Sequence, residues 1–281
     1  MVTIKAPAKI NLTLEVLRKR SDGFHDIRSV LQAVDLYDTL HIEAGKGISF
    51  KCDMEGWSAE KSLVSRAVKL LQESADCNKG AEIKIEKRIS LMSGLGGDSS
   101  DAAALLRALN DFWGLHLSQE KLIELASQLG SDVAFFLRGG TALATGRGET
   151  ITALPPLAAM WVVLVVPDVP VEPGKTGKMY AALKPPHFTD GKITEKLVET
   201  LHKGIAFNPS LLFNTFENIA FDNFKGLMVY KEHLIKLGAP RVHLAGSGPA
   251  LFTIFQEKSK AGELYKRCKT QGINVYLAAT L

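Results

Sequence analysis

Gly94, Gly96 and Gly97 stand within four residues of one another, directly before Asp98, Ser99, Ser100 and Asp101. A loop without side chains that opens a helix exposes successive backbone N–H groups at the positive end of the helix dipole, which suits an anion such as phosphate. The hydroxyls of Ser99 and Ser100 could hold a phosphate oxygen or Mg²⁺. Glycines alone fit a tight turn at a helix start equally well. The spacing is not a G-x-x-x-x-G-K-[ST] loop, because Gly174-Lys175-Thr176 has Val169 in place of the upstream Gly. Nor is it G-x-G-x-x-G, because Ser99 takes the last position. Gly246-Ser247-Gly248 form a second small turn between apolar runs. Cys52, Cys77 and Cys268 are far apart and make no metal-ligand spacing.

The elements that must carry these loops are legible from periodicity. Val2, Ile4 and Ala6, then Leu12, Leu14 and Val16, alternate as half-buried strands with a break near Pro7. Strands are also expected at Leu40–Ile42, Ile48–Phe50, Ala81–Ile85 and Trp161–Val166. Leu63, Val64, Ala67, Val68, Leu70 and Leu71 make one helical stripe from Ser62 to about Glu73. The Gly94–Ser100 loop leads into a helix through Leu109, and a further helix runs from its N-cap Ser118 to a stop at Gly130. Gly139-Gly140 and Gly146 to Gly148 punctuate a hairpin. Leu154-Pro155-Pro156 is the best domain seam, dividing 1–153 from 157–281. Residues 167–186, rich in Pro, Gly and Lys, read as a mobile, ligand-facing stretch. Helices are expected near 193–203, 227–237 and 258–270, and strands at 251–255 and 273–278. The mixture is α+β in two halves.

The chain has 281 residues, 46% hydrophobic and 23% charged, which excludes disorder, collagen and coiled coil. A net charge of +4 is too mild and dispersed to argue for nucleic acid, though it suits a small anionic ligand. The sparse, odd cysteine count reads as a reducing compartment, most simply the cytoplasm. The N-terminus lacks an apolar signal core. The longest apolar run, Leu157 to Val166, falls far short of the roughly 20 residues a membrane helix needs.

Taken together, Pro7-Ala-Lys-Ile-Asn-Leu-Thr13, the loop Gly94 to Ser100 with Asp101-Ala-Ala-Ala104, and Ala245-Gly-Ser-Gly-Pro249 resemble the three motifs of the GHMP small-molecule kinases. Asp22-Gly-Phe-His25, Val34 to Thr39 and Gly130 to Phe136 extend the match toward members that act on a cytidine-diphosphate-linked sugar alcohol. The similarity is dense over roughly the first 150 residues and thins afterwards, apart from the Ala245–Pro249 loop. The resemblance implies a two-domain fold: an N-terminal half like domain 2 of ribosomal protein S5 and a C-terminal ferredoxin-like α/β sandwich, with the site in the cleft between them. It implies ATP as co-substrate with Mg²⁺, and phosphorylation of a sugar-alcohol hydroxyl on a route to isoprenoids. Lys9 and Asp132 match the family's catalytic pair. Asp132 would take the hydroxyl proton; Lys9 would lower that carboxylate's pKa and stabilise charge on the phosphoryl group. By position alone Asp132 reads as a surface residue at a helix C-terminus, although the adjacent Val133 to Phe136 run would partly bury it. Asn11 shares a strand face with Lys9 and would orient the acceptor. Gly94, Leu95, Gly96, Gly97, Asp98, Ser99 and Ser100 match the ATP phosphate loop. Phe24 and His25 match an aromatic–His pair at the cytosine, Lys87 a lysine near the base, and Tyr180 a second stacking residue. Gly246, Ser247 and Gly248 would lie beside the substrate and the phosphate loop.

The sequence departs from the family pattern inside the phosphate loop. Ser90, Met92, Ser93 and Asp98 replace Pro, Gly, Ala and Gly. A carboxylate about 5 Å from a phosphate repels it by about 3 kcal/mol per unit charge at an effective dielectric near 20. Weakened or altered ATP affinity is therefore expected, unless Asp98 turns away as a helix cap or holds Mg²⁺. Met92 would narrow the adenine side. Two rival readings remain: a homoserine- or mevalonate-type GHMP kinase, which leaves Asp22 to His25 unexplained, and a non-catalytic binding protein on the same fold.

Overall fold

The computed structural model describes all residues from Met1 to Leu281. In chain order, the long strands β1 (Val2–Lys19) and β2 (His25–Gly45) are followed by β3 (Ile48–Cys52), α1 (Leu63–Ser74), β4 (Gly80–Glu86) and α2 (Gly97–Phe112). Next come α3 (Gln119–Leu129), α4 (Ser131–Arg138), β5 (Thr141–Gly146), β6 (Thr150–Ala153), β7 (Trp161–Val165), α5 (Lys175–Ala182) and α6 (Lys192–His202). The chain ends with β8 (Phe213–Asn214), α7 (Glu217–Asn223), α8 (Leu227–Lys236), β9 (His243–Leu244), β10 (Leu251–Phe255), α9 (Lys258–Thr270) and β11 (Val275–Ala279). The α+β class is as expected.

Residues 1–8, 36–91 and 96–139 form one compact unit, and 9–35, 92–95 and 140–281 form the other. β1 and β2 each contribute to both. This division by contacts interleaves the sequence and differs from a cut at 154–156.

In the first unit, β4 lies between β3, parallel, and the C-terminal part of β2, antiparallel, with Ile42 opposite Ile83. Ala81, Ile83 and Ile85 are buried and Glu82, Lys84 and Glu86 exposed, the alternation of a sheet with one dry face. α1, α3 and α4 pack with α2. α2 is buried nearly all round, and its run Ala102–Ala104 presents small side chains that let neighbours approach. Ser62 caps α1 and Ser118 caps α3, each accepting from a first-turn backbone N–H.

In the second unit, the N-terminal part of β2 pairs with β5, β5 with β6, and β1 runs parallel to β8. A separate antiparallel sheet has the order β11-β7-β10-β9, with α9 against it. Val163, Val165, Phe216, Leu244, Leu251, Leu264 and Cys268 belong to its core.

Three expectations are corrected. β1 runs through Pro7 without a break, because the fixed φ of proline lies in the extended region and also biases the preceding residue to it. From Ala8 to Val16 both faces of β1 are buried, so the strand is not half-exposed. Residues 167–186 are not loop throughout: α5 occupies Lys175–Ala182, with Lys175 and Met179 buried.

Candidate active site

In the first unit the loop ends at Gly96, which starts α2 in the left-handed conformation at φ 78°. Gly97 is the first helical residue, and Asp98 lies in the first turn, where negative charge is favourable. Asp98 does not cap its own helix. Its carboxylate accepts from the Ser62 hydroxyl and, at 2.9 Å, from the Leu63 backbone N–H, so it closes the N-terminus of α1. Both oxygens are thereby engaged at the start of α1, the cap-like arrangement in which phosphate repulsion is expected to be weaker. Ser99 is half-buried. The Ser100 hydroxyl is buried without a hydrogen-bond partner.

Beneath α2 lies a buried charge cluster. Lys87 Nζ bonds Asp38 Oδ2 at 2.5 Å and Asp101 Oδ2 at 2.6 Å, with Lys87 1% exposed and both aspartates at 0%. Asp38 also accepts from the backbone N–H groups of Arg88 and Ile89 at 2.6 and 2.8 Å. Burial, with the negative neighbours Asp38 and Asp98, holds the Asp101 carboxyl well above its usual range despite Lys87. Burial pulls Lys87 down, but Asp101 and Asp38 outweigh it and raise it. Lys87 thus spends two of its N–H donors on buried carboxylates. Asp132 is half-buried in the first turn of α4, not at a helix C-terminus; the single residue Gly130 ends α3 and starts α4.

In the second unit β1 carries a polar relay. Lys9 Nζ donates to Asn11 Oδ1 at 2.9 Å, Asn11 Nδ2 to the Ser29 hydroxyl at 2.7 Å, and that hydroxyl to the Thr13 carbonyl at 2.6 Å. Lys9 and Asn11 are each 4% exposed, so the relay fixes both side chains in a dry setting. The Lys9 N–H also donates to the Leu95 carbonyl at 2.9 Å. Leu95 itself is fully buried and offers the loop only its backbone.

Gly94 lies on the 245–248 turn. At φ +91°, a Cβ here would sit 2.2 Å from the Ala245 carbonyl oxygen. Gly246 faces back, its virtual Cβ 2.9 Å from the Gly94 oxygen and 3.1 Å from Lys9 Nζ. The structure therefore gathers Lys9, Asn11, Gly94 and Gly246. Asn214 Nδ2 ties the carbonyls of Leu244 and Gly246 at 2.9 and 2.8 Å. Ser247 bonds the Thr176 hydroxyl at 3.0 Å. Lys175 Nζ donates to the Gly248 carbonyl and, at 3.1 Å, to that of Met92. Met92, at φ 52°, holds the left-handed conformation with its side chain exposed.

His25 and Tyr180 also meet. Their rings stack at 5.0 Å and 24°, with Phe188 edge-on to His25 at 5.9 Å and Phe216 edge-on to Tyr180 at 4.9 Å. Burial, then the charge of Lys19, lowers the His25 pKa and favours neutral imidazole. Phe24 is outside this stack. It is 54% exposed, with the Arg147 guanidinium 4.7 Å from its ring centre. Asp38, Ser29, Arg147, Lys175 and Asn214 were not anticipated from sequence. Asp38 lies inside the Val34–Thr39 segment and Lys175 inside Gly174-Lys175-Thr176, whereas no local signal marks Asn214.

A glycine turn opens α2, and in the second unit a buried lysine–asparagine relay lies beside two glycine turns packed on each other. The pattern of the GHMP kinases N-terminal domain matches residues 62–140, and that of the GHMP kinases C-terminal domain residues 193–274. The chain belongs to the GHMP kinase family. It is 46% identical over its full length to a 4-diphosphocytidyl-2-C-methyl-D-erythritol kinase of Dehalococcoides mccartyi, covering 99% of that protein. A crystal structure of 4-(cytidine 5'-diphospho)-2C-methyl-D-erythritol kinase matches with a TM-score of 0.83 at 31% identity, covering 99% of each chain. A homoserine kinase from Cytophaga hutchinsonii matches with a TM-score of 0.68 at 19% identity over 100% of this chain and 94% of its own; that likeness is one of fold alone.

Proposed function

We propose that this chain is a 4-diphosphocytidyl-2-C-methyl-D-erythritol kinase, transferring the γ-phosphoryl group of ATP to the 2-hydroxyl of its substrate in the methylerythritol phosphate route to isoprenoids. The observation that carries this is the full-length similarity, at 46% identity, to a kinase of that name. The homoserine- and mevalonate-type reading is not favoured, because the solved kinases of those names are 19% identical or less. Intact Lys9 and Asp132 speak against a non-catalytic role.

The family implies ATP as phosphate donor. In this reading Asp132 accepts the hydroxyl proton as the substrate oxygen forms its bond to the γ-phosphorus and the bond to the bridging oxygen breaks, releasing ADP. Lys9 neutralises the charge that spreads over the transferring group, and Asn11, held by Ser29, orients Lys9 and the acceptor. Backbone N–H groups around Gly94, Leu95, Gly96, Gly97, Asp98, Ser99 and Ser100 cradle phosphates. Mg²⁺ takes oxygen ligands and commonly arrives with nucleotide phosphates. The orphaned Ser100 hydroxyl fits as one ligand, with Ser99 its alternative. When bound, the ion neutralises phosphate charge. Phe24 offers an exposed face for the cytosine, His25 a neutral polar edge that Tyr180 steadies by stacking. Gly246, Ser247 and Gly248 line the substrate phosphates. Domains at 1–153 and 157–281 are consistent with family matches that fall on either side of the seam. A cytoplasmic setting is supported by three free cysteines; no helix is long and apolar enough to cross a membrane.

ADP release from ATP and Mg²⁺, with 4-diphosphocytidyl-2-C-methyl-D-erythritol compared with homoserine and mevalonate, tests this. Turnover with the cytidine substrate alone, lost in Asp132→Asn, is expected. Folded protein that turns over none of the three acceptors overturns the reading.

A further inference from the structure

Lys175 opens α5 and is 9% exposed, yet its ammonium has only carbonyl oxygens for partners, those of Gly248 and Met92. An ammonium has three N–H donors, so two carbonyls leave one unspent. A buried cation without a carboxylate is costly, and such charges are retained where something else neutralises them. The charged group that acts on Lys175 is another cation, Lys9 of β1, which adds to the cost. Beside it, the turn after β9 presents the Ser247 hydroxyl, bonded to Thr176 of the same helical turn. The two carbonyls come from the two segments that carry the glycine loops, 92–94 and 246–248. One of them belongs to Met92, whose left-handed backbone would suit glycine better. Lys175 thus braces a strained entry to the phosphate loop and, when protonated, brings a second positive charge to the neighbourhood of Lys9.

We propose that Lys175 is a second anion-binding cation of the phosphoryl-transfer site, contacting a phosphate oxygen of the nucleotide donor or of the acceptor's diphosphate. The proposal rests on the kinase reading above. It gains support from titration: burial, then the charge of Lys9, brings Lys175 down to about 7. Only the protonated ammonium attracts an anion, so affinity falls as pH rises through that value, and binding takes up a proton.

Full-length wild type, Lys175→Met and Lys175→Arg would be titrated calorimetrically with ADP and with CDP. Their melting would be followed in sodium sulfate against sodium chloride at equal ionic strength, between about pH 6 and pH 9, where sulfate keeps its charge while lysine titrates. Loss of a charge-assisted hydrogen bond predicts roughly tenfold or weaker binding of ADP or CDP to Lys175→Met, and which of the two responds names the source of the phosphate. Stabilisation by sulfate should decline with pH in wild type, be flat and weak in Lys175→Met, and be flat and retained in Lys175→Arg. Sulfate binding does not require turnover, so this arm stands or falls apart from the kinase reading. Folded Lys175→Met that binds both nucleotides as wild type does, with the same pH dependence toward sulfate, overturns the proposal.

Discussion

At the scale of single residues, the proposed function rests the chemistry on Asp132 and Lys9. Replacing a general base typically costs about 10²–10⁴-fold. Asp132→Asn is expected to lower kcat by about that factor with little change in KM, read from steady-state ADP release. Tyr180 backs His25 at 5.0 Å. Loss of one aromatic partner at a base is typically worth about 1–3 kcal/mol. Tyr180→Ala should therefore raise KM for the cytidine substrate and leave KM for ATP unmoved. Asp98 is the residue at which the structure most changes the expectation. Because its carboxylate closes the start of α1, Asp98→Gly should cost about 1 kcal/mol of stability, as lost caps do, while ATP affinity stays near wild type. Thermal unfolding beside ATP titration separates this from a phosphate-repulsion effect, which would appear as tighter ATP binding.

At the scale of elements, two glycine turns lie so close that side chains cannot intervene. Gly94→Ala would place a Cβ 2.2 Å from the Ala245 carbonyl and force the loop open. Its effect should appear as lost activity together with a lowered melting temperature, because the turn that carries Gly246 must move. Met92 offers the opposite experiment. A non-glycine residue held left-handed typically costs about 1–2 kcal/mol. Met92→Gly should recover roughly 1 kcal/mol of that, less the backbone entropy glycine adds, and raise the melting temperature.

At the scale of the whole molecule, the buried Lys87–Asp38–Asp101 cluster couples stability to pH. The Asp101 pKa is raised in the fold above its ordinary value of 3.8, so the folded chain holds this proton more tightly than the unfolded chain. Stability from this group is complete below that ordinary value and is lost as pH rises toward the folded value. Asp101→Asn, which mimics the neutral acid, should flatten the fall in melting temperature across that window. Lys87→Met leaves two buried carboxylates without their cation and should cost about 3–5 kcal/mol.

Local signals were sufficient where one physical rule acts alone. The stripe from Leu63 to Leu71, the cap at Ser118 and the alternation at Ala81–Ile85 were readable because period and capping depend on near neighbours. The same holds for the three motifs that place the chain among the GHMP kinases. Sequence could not assign partners across long separations. Lys87 meets Asp38 and Asp101, Asp98 meets Ser62 and Leu63, and Lys175 meets Met92 and Gly248, pairings set by how strands and helices pack. A carboxylate or ammonium takes its role from burial and from the dipoles it reaches, and those exist only once distant segments are brought together. Residue types and spacing thus determined the class of chemistry, while tertiary packing decided which charges are buried against one another and which partners they hold.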